Sequence, residues 1–196
     1  MNRRELLKGL GLSIGYAMAT PAVLSLLQSC KTDAVSWTPK FLSEDEGIIL
    51  KNLVDLILPK TDASPGALDV NVPEFIDLYY GKALNDEGQK EYKDGIQAII
   101  NALQVSKDNS VSKLETDDYD KLLVKYLRAK KEEQENFSEE EQIVFNALVG
   151  LRGTSVWAYR TSEKIGEEVL AYDPIPGAQL GCISVEEATG GKRWSL

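Results

Sequence analysis

The sequence contains no histidine, and this absence excludes several kinds of site at once. Histidine is the usual general base near neutral pH, the usual partner of a serine nucleophile, and a ligand of haem and of nearly every catalytic zinc ion. The two cysteines, Cys30 and Cys182, form no Cys-x-x-Cys or haem-attachment motif. Histidine-dependent catalysis and cysteine-based redox or haem motifs are therefore excluded for this chain.

Glycine-rich loops that bind nucleotide cofactors are also missing. Gly190-Gly191 follows no predicted strand and opens no helix, and the glycines at positions 9 and 11 fall within the N-terminal apolar segment. We therefore expect no flavin, nicotinamide or nucleotide site in this chain. Asp62, Asp69 and Asn71 share a loop, but they lack the spacing and the distal glutamate of a calcium loop, so we expect no metal site either.

Basic residues are scarce, with 22 Lys and Arg against 31 Asp and Glu and a formal charge of −9. Removal of residues 1–29 takes away three basic residues and one acidic residue, which makes the charge −11. An acidic chain repels the phosphate backbone, so no nucleic-acid partner is expected.

The N-terminus has the layout of an export signal. Arg3 and Arg4 precede a stretch, residues 9–27, that is mostly apolar or small and too rich in Gly, Ala and Ser for a stable membrane span. The arginine pair, apolar residues and Lys8 resemble a twin-arginine signal, which directs the transport of folded proteins. An ordinary signal for unfolded chains that happens to contain two arginines is the alternative.

Leu26–Cys30 resembles a lipobox, with an aliphatic residue three positions before the cysteine and a small residue directly before it. We predict an export signal over residues 1–29, lipidation of Cys30, a tether over residues 30–42 and a helical domain over residues 43–196. Several acyl chains on one residue anchor a protein stably to a membrane. A plain cleaved signal with an incidental cysteine is the alternative.

The rest of the chain has the apolar periodicity of helices and no sustained two-residue alternation. Capping boxes at Ser43 and Ser138 mark two helix starts. Gly150 and Gly153 lie inside the longest predicted helix, where either a bend or the close approach of another helix would explain them. We predict an all-α, single bundle-like domain of about six helices with an irregular C-terminal extension from residue 171; the helices span about residues 43–58, 73–84, 86–103, 116–135, 138–160 and 162–170.

Three stretches resemble one protein family. Residues 53–67 (LVDLILPKTDASPGA) are similar to an apolar helix followed by I-x-P-x-T-D-x-P-G-A, with one extra residue between Asp62 and Pro65. Residues 70–77 (VNVPEFID) are similar to A-x-V-P-x-F-I-D, and residues 172–177 (YDPIPG) to a tyrosine–proline–glycine segment that Gly190, Gly191 and Trp194 follow. The chain thus resembles the gluconate 2-dehydrogenase subunit 3 family over the signal and about residues 43–194.

The resemblance implies an accessory subunit without catalytic residues. Such subunits bind a large FAD-bearing subunit of the glucose-methanol-choline oxidoreductase type, carry the export signal for both, and belong to membrane-associated complexes that pass electrons to a c-type cytochrome. FAD is thus expected in the partner and no cofactor in this chain. Two alternatives are a free-standing envelope lipoprotein with a binding or structural role, and an enzyme that uses carboxylates and tyrosines.

Long irregular segments rich in proline and glycine are candidates for the partner interface, because the helices already supply a core. They are the loop Thr61–Pro73 and the tail Pro174–Trp194, and packing of each on its own domain is the alternative. Aromatic residues near the ends of two helices add to them, since Tyr and Trp are enriched at interfaces. The candidate interface residues are Thr61, Asp62, Pro65, Gly66, Tyr79, Tyr80, Trp157, Pro176, Gly177 and Trp194.

Overall fold

The computed structural model describes residues 37–105, 110–175, 177 and 181–195. The predicted export signal with Arg3 and Arg4, the lipidation site Cys30, and Pro176 of the tail lie outside this part of the chain. None of the described helices combines the length and the apolar character that crossing a membrane requires.

The described residues form an all-helical domain, which confirms the predicted fold class. Seven α-helices and three other helical turns follow one another, and no strand occurs in the described ranges. The helices are α1 (Glu44–Ile57), α2 (Val72–Lys82), α3 (Asp86–Ala102), α4 (Thr116–Leu127), α5 (Lys131–Gln134), α6 (Glu139–Thr161) and α7 (Val185–Thr189), with 3-10 turns at Leu68–Val70 and Val111–Lys113 and a π-helical turn at Ile165–Val169.

Three local predictions need correction. Helix α4 ends at Leu127 and does not continue through the charged run, because the Glu133 carboxylate accepts the Lys130 N–H at 2.7 Å and starts the separate helix α5. The predicted last helix is the π-helical turn Ile165–Val169. The tail is not wholly irregular, since Ser184 caps the short helix α7 and Gly190 ends it in the left-handed conformation at φ 62°.

Side-chain caps fix where the two helices with predicted capping boxes begin. The Ser43 hydroxyl accepts the Glu46 N–H at 3.3 Å, and the Glu46 carboxylate accepts the Ser43 N–H at 2.7 Å. The same reciprocal pair joins Ser138 and Glu141 at 3.2 Å in each direction. Both predicted capping boxes are confirmed, and each satisfies backbone donors that a helix start would otherwise leave without partners.

One hydrophobic cluster holds the domain together. Helix α1 supplies its centre, where Ile49, Leu50, Leu53 and Val54 are completely buried. Helix α6 is the longest and contacts each of the other four long helices, α1 to α4. Burial of aliphatic side chains on this scale is the main stabilising contribution to a helical domain of this size.

The two glycines of α6 do not mark the close approach of another helix. A Cβ atom built on Gly150 or Gly153 would have no neighbour within 4 Å, so both lie on the outer side of α6. The close approach occurs at Gly95 of α3, whose added Cβ would lie 3.1 Å from Ala147 Cβ. Small residues at this crossing allow α3 and α6 to pack with their backbones close together.

A buried carboxylate joins the segment before α1 to helix α2. Asp77 has no exposed surface, and its oxygens accept the N–H groups of Lys40 at 2.6 Å, Phe41 at 3.1 Å and Leu42 at 2.8 Å. Leu42 is buried in the core cluster and Phe41 packs against it. The C-terminal end of the predicted tether is therefore fixed on the domain by charge-assisted hydrogen bonds.

Candidate partner interface

The tip of the loop between α1 and α2 is exposed but internally ordered. Thr61 N–H donates to the Ser64 carbonyl at 3.0 Å, and Ser64 N–H donates to Thr61 Oγ1 at 3.1 Å. Thr61 and Asp62 are both exposed at this tip. Two residues of the predicted interface are thus presented to solvent by a compact turn.

The base of the same loop packs on the domain. Gly66 is buried, and its N–H donates to the Asp69 carboxylate at 2.9 Å. This hydrogen bond, followed by the nearby Lys60 ammonium at 3.4 Å, lowers the pKa of Asp69 and favours its charged form. Tyr159 of α6 donates its hydroxyl proton to the Pro65 carbonyl at 2.6 Å. Pro65 and Gly66 therefore have a structural role, while the loop tip stays accessible.

Replacing Gly66 by alanine is expected to lower the free energy of unfolding by about 1–3 kcal/mol. The added Cβ would lie 2.6 Å from the Lys60 backbone nitrogen, which cannot move aside as a side chain can. The matched control is Gly153→Ala, where the new Cβ has open space and the gain in helix propensity should stabilise by about 0.5–1 kcal/mol. Thermal unfolding of both variants measures the difference, and equal melting temperatures would contradict the close packing of Gly66.

Three aromatic side chains from α2 and α6 form an exposed surface, which we call the aromatic patch: Phe75, Tyr79 and Trp157. The Trp157 ring lies edge-on to Phe75 at 5.3 Å and to Tyr79 at 5.2 Å, and the Phe75 and Tyr79 rings are 6.0 Å apart. Phe75 is 40% exposed and Trp157 is 45% exposed. The predicted interface residues Tyr79 and Trp157 are therefore neighbours, although 78 positions separate them in the sequence.

The sequence did not indicate Phe75 as an interface residue. Its place four positions before Tyr79 was the available signal, because residues at this spacing share one face of a helix. Leu78 of α2 and Val156 of α6 are further exposed apolar residues on the same two helices, at 48% and 36%. These two helices thus present more apolar surface than the aromatic patch alone.

The Tyr80 ring lies edge-on to Tyr79 at 5.5 Å and extends the aromatic contacts toward α3. The same ring stacks on Tyr92 at 3.6 Å, and the Tyr80 hydroxyl lies 3.1 Å from Thr154 Oγ1. Burial raises the pKa of the Tyr92 phenol far above its usual range, and the neighbouring Tyr80, Asp77 and Glu46 raise it further. Tyr80 and Tyr92 are therefore half-buried residues that pack against each other.

The tail returns to the domain near its end. Ala171 N–H donates to the Arg193 carbonyl at 2.9 Å, and Ser195 N–H donates to the Ala171 carbonyl at 2.9 Å. Ser195 is buried, whereas Trp194 is 46% exposed and Gly177 is exposed. The structure thus fixes the backbone beside Trp194 and leaves its indole ring accessible.

Several carboxylates that the sequence places in adjacent pairs serve as helix caps. Asp118 accepts the Glu115 N–H at 2.9 Å at the start of α4. Glu133 accepts the Lys130 N–H at the start of α5, and Glu141 accepts the Ser138 N–H at the start of α6. In the described ranges, no group of three or more Cys, Asp or Glu residues is arranged to hold a metal ion. Asp118, Glu133 and Glu141 thus stabilise helix starts.

The described residues define a class: a small all-helical domain whose candidate site is an exposed aromatic surface and an ordered loop. A family model for gluconate 2-dehydrogenase subunit 3 matches residues 44–177. The chain belongs to this family, which confirms the resemblance seen in the sequence. The family name describes a subunit of a dehydrogenase, which implies that its members associate with other subunits in an oxidoreductase complex. The comparisons with curated proteins and with solved structures each gave no match.

Proposed function

We propose that the chain is a non-catalytic accessory subunit that binds the FAD-bearing large subunit of a glucose-methanol-choline-type dehydrogenase. The observation that carries the proposal is the aromatic patch. Trp and Tyr dominate the binding energy of many interfaces because each buries a large area and loses little conformational entropy. A monomer without a partner would leave these rings half exposed for no structural gain.

The surroundings of the aromatic patch support its use as an interface. Arg160 lies one turn after Trp157 on α6, and its Nε is buried without a hydrogen-bond partner among the described residues. The Arg160 side chain as a whole is half-buried, and arginine, like Tyr and Trp, is enriched among the residues that dominate interface energetics. Tyr159, between Trp157 and Arg160, holds the base of the Thr61–Pro73 loop. We therefore assign the aromatic patch and the loop tip at Thr61 and Asp62 to one interface.

The contacts of the carboxylates and tyrosines favour the subunit hypothesis over the hypothesis of an independent enzyme. A general acid/base pair needs two titratable groups that meet in a cleft. Asp77 is the one fully buried carboxylate in the described residues, and three backbone N–H groups occupy its oxygens. The dehydrogenase chemistry is then supplied by FAD in the partner, and a c-type cytochrome accepts the electrons.

A tagged full-length chain, purified from its native host, tests the proposal directly. We expect it to copurify with a larger protein that has the visible absorbance of flavin and oxidises a sugar, sugar acid or polyol. Purification of the chain alone would support a free-standing envelope lipoprotein. Substrate turnover by the flavin-free chain would support an enzyme that uses carboxylates and tyrosines. Either result contradicts the proposed function.

We further propose that residues 1–29 export the partner together with this chain and that lipidated Cys30 anchors both in the cell envelope. Replacing Arg3 and Arg4 by lysine is expected to lower the flavoprotein activity in the periplasm at least tenfold, because twin-arginine transport requires the pair. Fractionation of cells followed by an activity assay measures this loss.

Cys30→Ser is the matched control for the export prediction. It removes the lipid but not the arginine pair, so it should release active complex from the membrane without blocking export. Normal export of the flavoprotein by the double lysine variant would exclude the escort role, even if the two subunits form a complex.

A further inference from the structure

A groove runs along the outer side of the crossing between α3 and α6. Its main cavity has a volume of about 760 Å³, and a second cavity of about 470 Å³ continues on the other side of Ile143. Ile143 lines both cavities and is 51% exposed. Neither Phe75 nor Trp157 of the aromatic patch lines the groove.

The groove exists because small residues occupy the crossing. Gly95 and Ala147 bring the two backbones together at the point where an added Cβ would be 3.1 Å from Ala147. Gly150, one turn further along α6, has open space in front of it. No described side chain therefore fills the outer side of the crossing, although Leu84, Ile143 and Leu151 line it with apolar surface.

Acidic residues line the two cavities. Glu87 and Glu91 lie at the main cavity and Glu140 at the second one, and none of the three forms a salt bridge with a described residue. Lys90 is the one basic residue among the described residues that line the cavities, and Asp94 pairs with it at 3.2 Å. The groove thus combines an apolar floor with an excess of negative charge.

We propose that this groove binds an amphipathic helix of a partner protein, with an apolar stripe flanked by lysine or arginine. Helix α3 has 17 residues and is therefore about 25 Å long, which matches a bound helix of four to five turns. An apolar stripe would cover Ile143 and Leu84, and the basic flanks would pair with the three free carboxylates. This second docking surface goes beyond the proposed function, which rests on the aromatic patch.

Other occupants fit the groove less well. A second copy of this chain carries the same formal charge of −9 and would bring like charge to an acidic surface. A small apolar molecule would remain largely exposed, because the groove is open along its length and sites for small ligands bury most of the ligand surface.

A fluorescent peptide of about 16 residues, with a leucine stripe at helical spacing and lysines beside it, is the probe. We expect it to bind the full-length chain and to lose at least tenfold in affinity with Gly150→Trp, whose side chain would fill the groove. Gly153→Trp is the matched control, since it adds the same ring to the same helix at a position that lines neither of these two cavities. Equal binding by both variants would overturn the proposal.

A second experiment reverses the charge of single glutamates on α6. Glu140→Lys should weaken peptide binding several-fold, whereas Glu139→Lys should not, because only Glu140 lines a cavity and both residues lie in the first turn of α6. Equal binding of a peptide with glutamates in place of its lysines would overturn the charge complementarity.

Self-association of the chain that Gly150→Trp abolishes would identify a second copy as the occupant and would also overturn the proposal. Copurification of the flavoprotein with Gly150→Trp separates this test from that of the proposed function.

Discussion

Replacing Asp77 by alanine is expected to lower the free energy of unfolding by about 3–5 kcal/mol. The change removes one carboxylate but leaves the buried or half-buried N–H groups of Lys40, Phe41 and Leu42 without their acceptor. Each unsatisfied buried donor costs about 1–3 kcal/mol. Because domains of this size are stable by only about 5–15 kcal/mol, the loss is a large fraction of the total.

Urea unfolding followed by circular dichroism measures this effect. Asp77→Asn keeps the shape and one acceptor oxygen, so we expect a smaller loss than with alanine. Asp62→Ala, at the exposed loop tip, is the control and should change stability by less than about 0.5 kcal/mol. Amide hydrogen exchange of residues 40–42 should accelerate in Asp77→Ala. A loss below about 1 kcal/mol would mean that Asp77 contributes little to holding this segment.

Replacing Trp157 by alanine is expected to weaken binding of the flavoprotein subunit at least about 30-fold, which corresponds to about 2 kcal/mol. The change removes the ring that contacts both Phe75 and Tyr79, and it opens the centre of the aromatic patch. The fold should lose only about 1–2 kcal/mol, because the ring is nearly half exposed in the free chain. Titration of the purified flavoprotein subunit with each variant measures the affinity.

Val124→Ala is the matched control for the Trp157 prediction. Val124 is 41% exposed on α4 and lies outside the aromatic patch, so its truncation should leave the affinity unchanged. Thermal unfolding of both variants separates loss of binding from loss of folding. Unchanged affinity of Trp157→Ala, in a folded chain, would exclude the aromatic patch as the main contact with the flavoprotein.

The fold class and the capped helix starts were predictable because both depend on local patterns. Ser43 and Ser138 each stand three residues before a glutamate and just before an apolar periodic segment, and this is enough to place a helix start. The limits of α4 were harder, because Lys130–Glu135 is helical in composition. There a cap by Glu133 favours a new start over continuation of the helix.

The sequence could not indicate the contacts that bring distant segments together. Tyr159 and Pro65 are 94 residues apart, and Asp77 and Leu42 are 35 apart, so no local spacing identifies either hydrogen bond. The different ring contacts of Tyr79 and Tyr80 were unpredictable for the same reason. Adjacent residues on a helix point about 100° apart, but only the packing of α3 and α6 decides that Tyr80 packs on Tyr92 and Tyr79 on Trp157.

The Pro65–Gly66–Ala67 stretch, which is part of the resemblance to the family, has a structural explanation. Ala67 is completely buried, and its N–H donates to the Leu58 carbonyl at 2.9 Å. Gly66 lies so close to the Lys60 backbone that no side chain fits at this position. These residues close the turn between α1 and α2. The most recognisable motif of the chain therefore specifies the loop conformation, and the less recognisable residues Phe75 and Trp157 provide the exposed surface.

Helix α6 contacts the four other long helices, yet the ribosome produces it after all of them. A nascent chain that ends before Glu139 lacks Leu148 and Leu151, which are buried between those helices in the finished domain. The domain can therefore complete its core only late in synthesis or after release of the chain. On the proposed twin-arginine route, which carries folded proteins, transport would therefore follow the folding of α6.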